Sequence, residues 1–293
     1  MTRGHTVTSH RDVDLSLLLE AIGEFPAAMR RGTAAFTLLE RISKALVKES
    51  GLSRGAPVDL GPFGTVIVPL HKMGAVTSLD LFGLDELVLF CMYASRRHQY
   101  RFVADLGANI GLHSILMSRL GWRVDSYEAD PATADVLESN LAINDVSTVT
   151  VHRAAVDQED GKATFTRVLG NLTGSHLTGD KPHPYGQLES FQVKCKALSP
   201  IMRSSDLVKM DIEGSEARVV EATGADDWDS VDVVMEVGSP DNAVRIFAHL
   251  QDLGVRMYAQ KIGWLPCRTA ADLPSHHTEG SLFCTYGPGP FEP

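Results

Sequence analysis

The chain has 293 residues, 44% hydrophobic and 22% charged, the texture of a globular protein long enough to bury a core without disulfide or metal staples. A formal net charge of −10 with no long Lys/Arg run excludes a general affinity for nucleic-acid backbones. The longest apolar run (residues 87–94) is too short for membrane insertion, the opening MTRGHTVTSHRDVD lacks an apolar signal core, and Cys91, Cys195, Cys267 and Cys284 form no CxxC pair, so a cytoplasmic protein with reduced thiols is expected.

Apolar positions at helical spacing run through Leu15, Leu18, Leu19 and Ile22, then Phe36, Leu39, Ile42 and Leu46. Gly23 and Pro26 interrupt them, so the spacing predicts two helices. Residues 51–57 read as a loop, and residues 58–69 as short strands or a hairpin around Gly61-Pro62 and Gly64. Residues 84–93 predict another helix. This N-terminal helical segment, residues 1–100, is read as part of an acceptor pocket or as a homodimer contact.

From Phe102 the pattern alternates between strand and helix, which implies an α/β fold with a parallel sheet covered on both faces. Strands are predicted at 102–106, 123–128, 149–156, 207–211, 231–237 and 255–260. Helices are predicted after the first of these through 120, and at 131–143, 215–222 and 242–253. Residues 161–198 interrupt the alternation: 162–168 and 192–196 read as strands, and 170–186 as a long Gly-, Thr- and His-bearing loop. Its length suggests a lid closing over substrate.

The first strand runs into Asp105-Leu-Gly107-Ala-Asn109-Ile-Gly111, a glycine turn that opens a helix. Gly107 permits backbone conformations closed to other residues, and the helix start offers free N–H groups. The spacing departs from the G-x-G-x-x-G of dinucleotide sites, where pyrophosphate rests on the helix N-terminus. Asp105 would repel pyrophosphate but attract the ammonium of a methionine moiety. Glu128 ends the next strand, where an acid reaches ribose hydroxyls in nucleotide-binding folds. The bland alternative makes Asp105 a turn cap and Glu128 a solvated strand end.

These residues, VADLGANIGLHS (103–114), YEADP (127–131), Asn140 and Asn144, AAVDQEDG (154–161) and LVKMDIEGSE (207–216), resemble the FkbM-type methyltransferases in order and spacing. The resemblance implies a class I methyltransferase, Rossmann-like fold over residues 101–293: a seven-stranded, mostly parallel sheet with one antiparallel strand, for which residues 281–286 are the candidate. It implies S-adenosylmethionine as cofactor, with Asp105, Gly107, Ala108, Asn109 and Gly111 at its methionine part, Glu128 at the ribose, and Ala155 and Asp157 near the adenine. It also implies a hydroxyl of a sugar, glycoside or other small metabolite as acceptor. Ala129 and Ser199-Pro200 depart from the usual pattern.

Methyl transfer from a sulfonium needs alignment and removal of a proton. Asp211, at a predicted strand end, and Glu213 are candidate bases or acceptor-orienting groups; as structural residues they would cap the following helix. His176, His183 and the His276-His277 pair are weaker candidates, because imidazole titrates near neutrality, and His113 reads as packing. Asp211 and Glu236 are a candidate carboxylate pair for Mg²⁺, but no third ligand stands at a fixed spacing, and no metal is expected. A nicotinamide-dependent oxidoreductase is disfavoured by the glycine spacing and Asp105. An inactive cofactor-binding scaffold is disfavoured by the intact set of motif residues.

Overall fold

The computed structural model describes residues 15–24, 30–74, 76–170, 174–179 and 186–291. The N-terminal segment contains α1 (Leu15–Glu24), α2 (Ala34–Glu49), a two-residue hairpin of β1 (Val58–Asp59) and β2 (Thr65–Val66), and α3 (Leu84–Ser95). Thr33 caps α2 by accepting from the Phe36 amide, and the apolar stripes seen in the sequence face inward on α1, with Leu15, Leu18, Leu19 and Ile22 all buried. Residues 1–14 and 25–29 lie outside the described residues.

The alternating region follows as β3 (Phe102–Leu106), α4 (Leu112–Arg119), β4 (Arg123–Tyr127), α5 (Pro131–Ile143) and β5 (Val149–His152). Next come β6 (Ala155–Asp157), β7 (Gly161–Val168), β8 (His176–Leu177), β9 (Leu188–Ala197), α6 (Leu198–Arg203) and β10 (Leu207–Met210). The chain continues through α7 (Glu216–Val220), β11 (Asp232–Met235), α8 (Pro240–Asp252), β12 (Arg256–Ala259), β13 (Leu265–Pro266) and β14 (Leu282–Thr285).

The main sheet has the order β13-β12-β14-β11-β10-β3-β4-β5. The pairs from β11 through β5 are parallel, and β14 runs antiparallel between β11 and β12. Seven strands thus follow the expected class I methyltransferase arrangement. The eighth, β13, is a two-residue strand antiparallel to β12 and corrects the expected count of seven.

Period-two alternation splits the sheet into two faces. Val103, Leu207, Val234, Tyr258 and Phe283 join one apolar cluster with α1, α3 and α4, while Ala104, Val208, Val233, Met257 and Leu282 join another with α6, α7 and α8. The N-terminal segment therefore shares its core with one face of the sheet.

The stretch read as one strand over 149–156 is two. After His152 the chain leaves the main sheet, and β6 enters a second sheet of order β6-β9-β7-β8. The predicted strands at 162–168 and 192–196 pair antiparallel along their length as β7 and β9. Residues 171–173 and 180–185, most of the proposed lid and with it His183, lie outside the described residues. Of the remainder, β8 pairs with β7.

Candidate active site

A crevice of about 660 Å³, open to solvent, lies at the C-terminal ends of β3, β4 and β10, where ligands bind in open α/β sheets. Gly107, Asn109, Glu128, Asp211 and Glu213 line it from the main sheet. Ala155, Val156, Phe165, Ser175 and Leu177 line it from the second sheet. The strands bring together residues more than a hundred positions apart because β3 and β10 are neighbours, with Leu106 opposite Met210.

The glycine turn is constrained first by the protein itself. Gly107 has φ +73°, and a Cβ there would stand 1.8 Å from the Asp211 carbonyl oxygen, so both conformation and close backbone approach demand glycine. The amides of Gly107 and Ala108 both donate to the Tyr127 carbonyl at 3.0 Å. Asn109 is left-handed at φ +50°, and its amide donates to Glu128 Oε2 at 2.9 Å. Glu128 Oε1 accepts from the Asp130 amide, also at 2.9 Å. Burial pushes the Glu128 carboxyl up to about 7, although these two amides pull it down.

The loop after β10 is organised by Glu216, the first residue of α7, which is 1% exposed. Its Oε1 accepts from the amides of Ile212 and Gly214, both at 3.1 Å, and Asn242 Nδ2 donates to its Oε2 at 3.3 Å. Burial raises its pKa to about 8. This arrangement holds Glu213 at φ +57° and keeps Asp211 at the crevice with 37% of its side chain open. Sequence reasoning missed Glu216 as the organiser; the acid spacing in DIEGSE was the available signal.

Lys209, whose expected structural role is pairing with a neighbouring acid, meets acids from two strands. Its Nζ donates to the Gly107 carbonyl at 3.3 Å and lies 3.4 Å from Asp105 Oδ1 and 3.8 Å from Asp211 Oδ2. Burial would lower its pKa, but Asp105, Asp211 and Glu86 raise it overall, so it is a buried cation.

Several expected site residues lie off the crevice. Asp105 is fully buried beneath the turn, where the Ser114 hydroxyl donates to its Oδ2 at 2.6 Å; a direct grip on a ligand ammonium gives way to holding Lys209. Ala108 is buried, and Gly111 packs above Leu137. Asp157 turns away to an ion pair with Arg218 of α7. His176 is 2% exposed, with Nδ1 against the Gly174 carbonyl at 2.9 Å, so its ring is tied into its own turn rather than presented to the crevice. The segment read as a substrate lid borders the end of the crevice formed by the second sheet, through Ser175 and Leu177. Among the described residues, no group of three or more His, Cys, Asp or Glu side chains is placed to hold a metal ion, and no helix is long and apolar enough to cross a membrane.

Residues 105–257, just over half of the chain, match the methyltransferase FkbM domain. The chain is 27% identical over 189 residues to Methyltransferase 1 of Beauveria bassiana, spanning 56% of this chain and 76% of that protein. It is 28% identical over 201 residues to Methyltransferase sdnD of Sordaria araneosa, spanning 56% and 77%. Among solved structures, an O-methyltransferase from Bacillus cereus in complex with SAH has a TM-score of 0.35 at 10% identity, covering 67% of this chain and 78% of that one. So loose a global match says nothing about substrate.

Proposed function

The chain belongs to the methyltransferase FkbM domain family, and from that premise we propose that it methylates a hydroxyl oxygen of a small metabolite, sugar or glycoside. It is a methyltransferase with S-adenosylmethionine as cofactor, and the crevice chemistry fits that molecule. The apolar wall of Ala155, Val156, Phe165 and Leu177 suits the flat adenine. Glu128, buried with both oxygens held by backbone amides, suits paired ribose hydroxyls. The acids Asp211 and Glu213 at the other end suit a hydrogen-bonding acceptor beside the methyl group. None of these residues forms a pyrophosphate cradle, since two turn amides are already spent on Tyr127.

When bound, the cofactor supplies a methyl group activated by sulfonium. The protein must then hold the acceptor in line and receive its proton. The observation that carries the oxygen assignment is Asp211: an accessible carboxylate at the strand end, steadied by the buried Lys209 cation. It can accept a hydrogen bond from a hydroxyl, orient the oxygen lone pair towards the methyl, and take the proton late. Glu213, beside it in the crevice, supplies a second acceptor.

The test supplies methyl-labelled S-adenosylmethionine with matched panels of hydroxylated and amine-bearing small molecules. Label is expected on hydroxyl oxygen as an ether stable to mild base. Asp211→Asn keeps the size and removes the charge, and is expected to lower kcat by about 10²–10⁴-fold, the usual range for proton-transfer help, with cofactor affinity little changed. Label confined to nitrogen, or near-normal turnover in Asp211→Asn, would sink this reading.

A further inference from the structure

The half of the crevice formed by the second sheet has an apolar wall. Phe165 of β7 and Leu177 of β8 are register partners and both line it. Phe165 packs against the Phe191 ring of β9, 5.6 Å between centroids, and Ala155 and Val156 continue the wall. A base lying there loses water along its edge, so each donor or acceptor on that edge needs a partner from the protein.

Two acids near this wall are already engaged. Asp157, expected beside the adenine, is paired with Arg218 and accepts from the Gln158 amide at 2.7 Å. Asp130 lines the crevice, but Arg167 takes both of its oxygens, Nε on Oδ2 at 2.6 Å and Nη2 on Oδ1 at 2.5 Å.

Two hydroxyls are not. Ser175, immediately before β8, is 6% exposed and lines the crevice. Its Oγ accepts from the Val168 amide at 3.2 Å, and among the described residues its own proton meets no acceptor. Thr133, in the first turn of α5, is 4% exposed and also lines the crevice. Its amide donates to Asp130 Oδ1 at 3.5 Å, while its hydroxyl has no hydrogen-bond partner among the described residues. The Arg167–Asp130 bond joins the two positions, since Arg167 precedes the Val168 that holds Ser175 and Asp130 caps the turn that carries Thr133. Nearly buried hydroxyls with hydrogen bonds unspent, both lining one cavity, are set for a ligand to complete.

We propose that Ser175 and Thr133 read the edge of the adenine, Ser175 donating to a ring nitrogen and Thr133 accepting from the exocyclic amine. The inference rests on the cofactor placement given under the proposed function, and it names the residues that select the base. The Ser175 oxygen already accepts a backbone amide, so its unspent capacity is a proton, which a ring nitrogen accepts. The amine needs an acceptor, and Thr133 offers one, whereas Asp130 is taken by Arg167 and Asp157 by Arg218. A base without the matching group leaves a nearly buried hydroxyl unpaired, and is rejected for that reason.

Calorimetric titration of the whole chain with S-adenosylhomocysteine and four of its analogues tests this without knowledge of the acceptor. In three, C–H replaces ring nitrogen N1, N3 or N7; in the fourth, hydrogen replaces the amine. Wild-type protein is expected to bind at least one ring analogue, and the analogue without the amine, about tenfold more weakly than the parent, the scale of one hydrogen bond. Ser175→Ala is expected to erase one ring penalty and keep the amine penalty. Thr133→Val, which keeps the branched shape, is expected to erase the amine penalty and keep the ring penalty. Ser175→Cys leaves an acceptor for the Val168 amide with a much weaker donor, and serves the same readout if Ser175→Ala folds poorly. Penalties that persist in the variants, or equal weakening of all five ligands, overturn the proposal, as does a wild type indifferent to every replacement. A wild type that binds none of the five would instead strike the cofactor placement, and the inference with it.

Discussion

Ribose hydroxyls donate to a carboxylate more strongly than to a carboxylic acid, and Glu128 is raised by burial to about 7. Cofactor affinity is therefore expected to rise with pH through about 7 and level off above it, by roughly tenfold between about pH 6 and pH 8. Calorimetry on wild type and Glu128→Gln checks this; the variant binds more weakly and loses the part of the slope due to Glu128. The same shift has a stability consequence of fixed sign. The folded state holds this proton longer than the unfolded chain, so Glu128 makes stability fall as pH climbs from the ordinary 4.5 to about 7. Glu128→Gln removes that fall. A binding slope that persists in Glu128→Gln would assign it to another buried acid, such as Glu216, raised to about 8.

The second sheet acts on the site as an element. Arg167 on β7 holds Asp130 through Nε at 2.6 Å, while Asp130 caps α5 and its amide donates to Glu128. The guanidinium also lies over the Phe191 ring of β9 at 4.8 Å and pairs with Glu189 at 2.8 Å. The hairpin is thereby latched to the loop carrying the ribose acid. Arg167→Met keeps the aliphatic stem and removes the latch. It is expected to destabilise the protein by about 1.5–3 kcal/mol, the range for hydrogen bonds to charged groups, and to weaken cofactor binding. Denaturant midpoints and calorimetry read the two effects, and unchanged cofactor affinity would show that the hairpin does not support the crevice.

Across the whole molecule, Arg96 joins the N-terminal segment to the sheet and the chain's end. At the C-terminus of α3, its Nε donates to the Pro290 carbonyl at 2.9 Å, and its Nη1 donates to the Tyr100 hydroxyl and to Asp232 Oδ2, each at 3.1 Å. Tyr100 donates to the same Asp232 oxygen at 2.6 Å. Arg96→Met removes the counter-charge of a largely buried carboxylate and leaves it only the neutral donors Tyr100 and Thr285; the loss is expected to cost about 3 kcal/mol, read as a lowered denaturant midpoint with a cooperative transition. Arg153, which pairs with Asp135 and Glu138 on the surface, is the contrast: Arg153→Met should leave the midpoint nearly unchanged, because exposed pairs are screened.

The helices of the N-terminal segment and the main-sheet strands from β3 to β12 were legible because each writes its burial as a local period, 3.6 residues in α1 and two between the faces of the sheet; β14 was expected only from the family resemblance, and β13 not at all. Gly107 was legible as well, since a left-handed turn admits few residues, although the backbone pressing on it proved to be that of Asp211. The second sheet was not legible as a sheet. The strands β7 and β9 are ordinary β segments, and nothing in either one names its partner. Nor could spacing separate Glu216, which turns inward to its own loop, from Glu213, which faces the crevice, because three acids within a few residues differ only in where the backbone aims them. Asp105 and Lys209 are 104 positions apart and meet only because β3 and β10 are neighbouring strands. Local sequence determined the elements and the glycine turn, whose preferences are short-ranged. Tertiary structure alone decided which charges share a buried space, because burial and pairing depend on which strands and helices lie side by side.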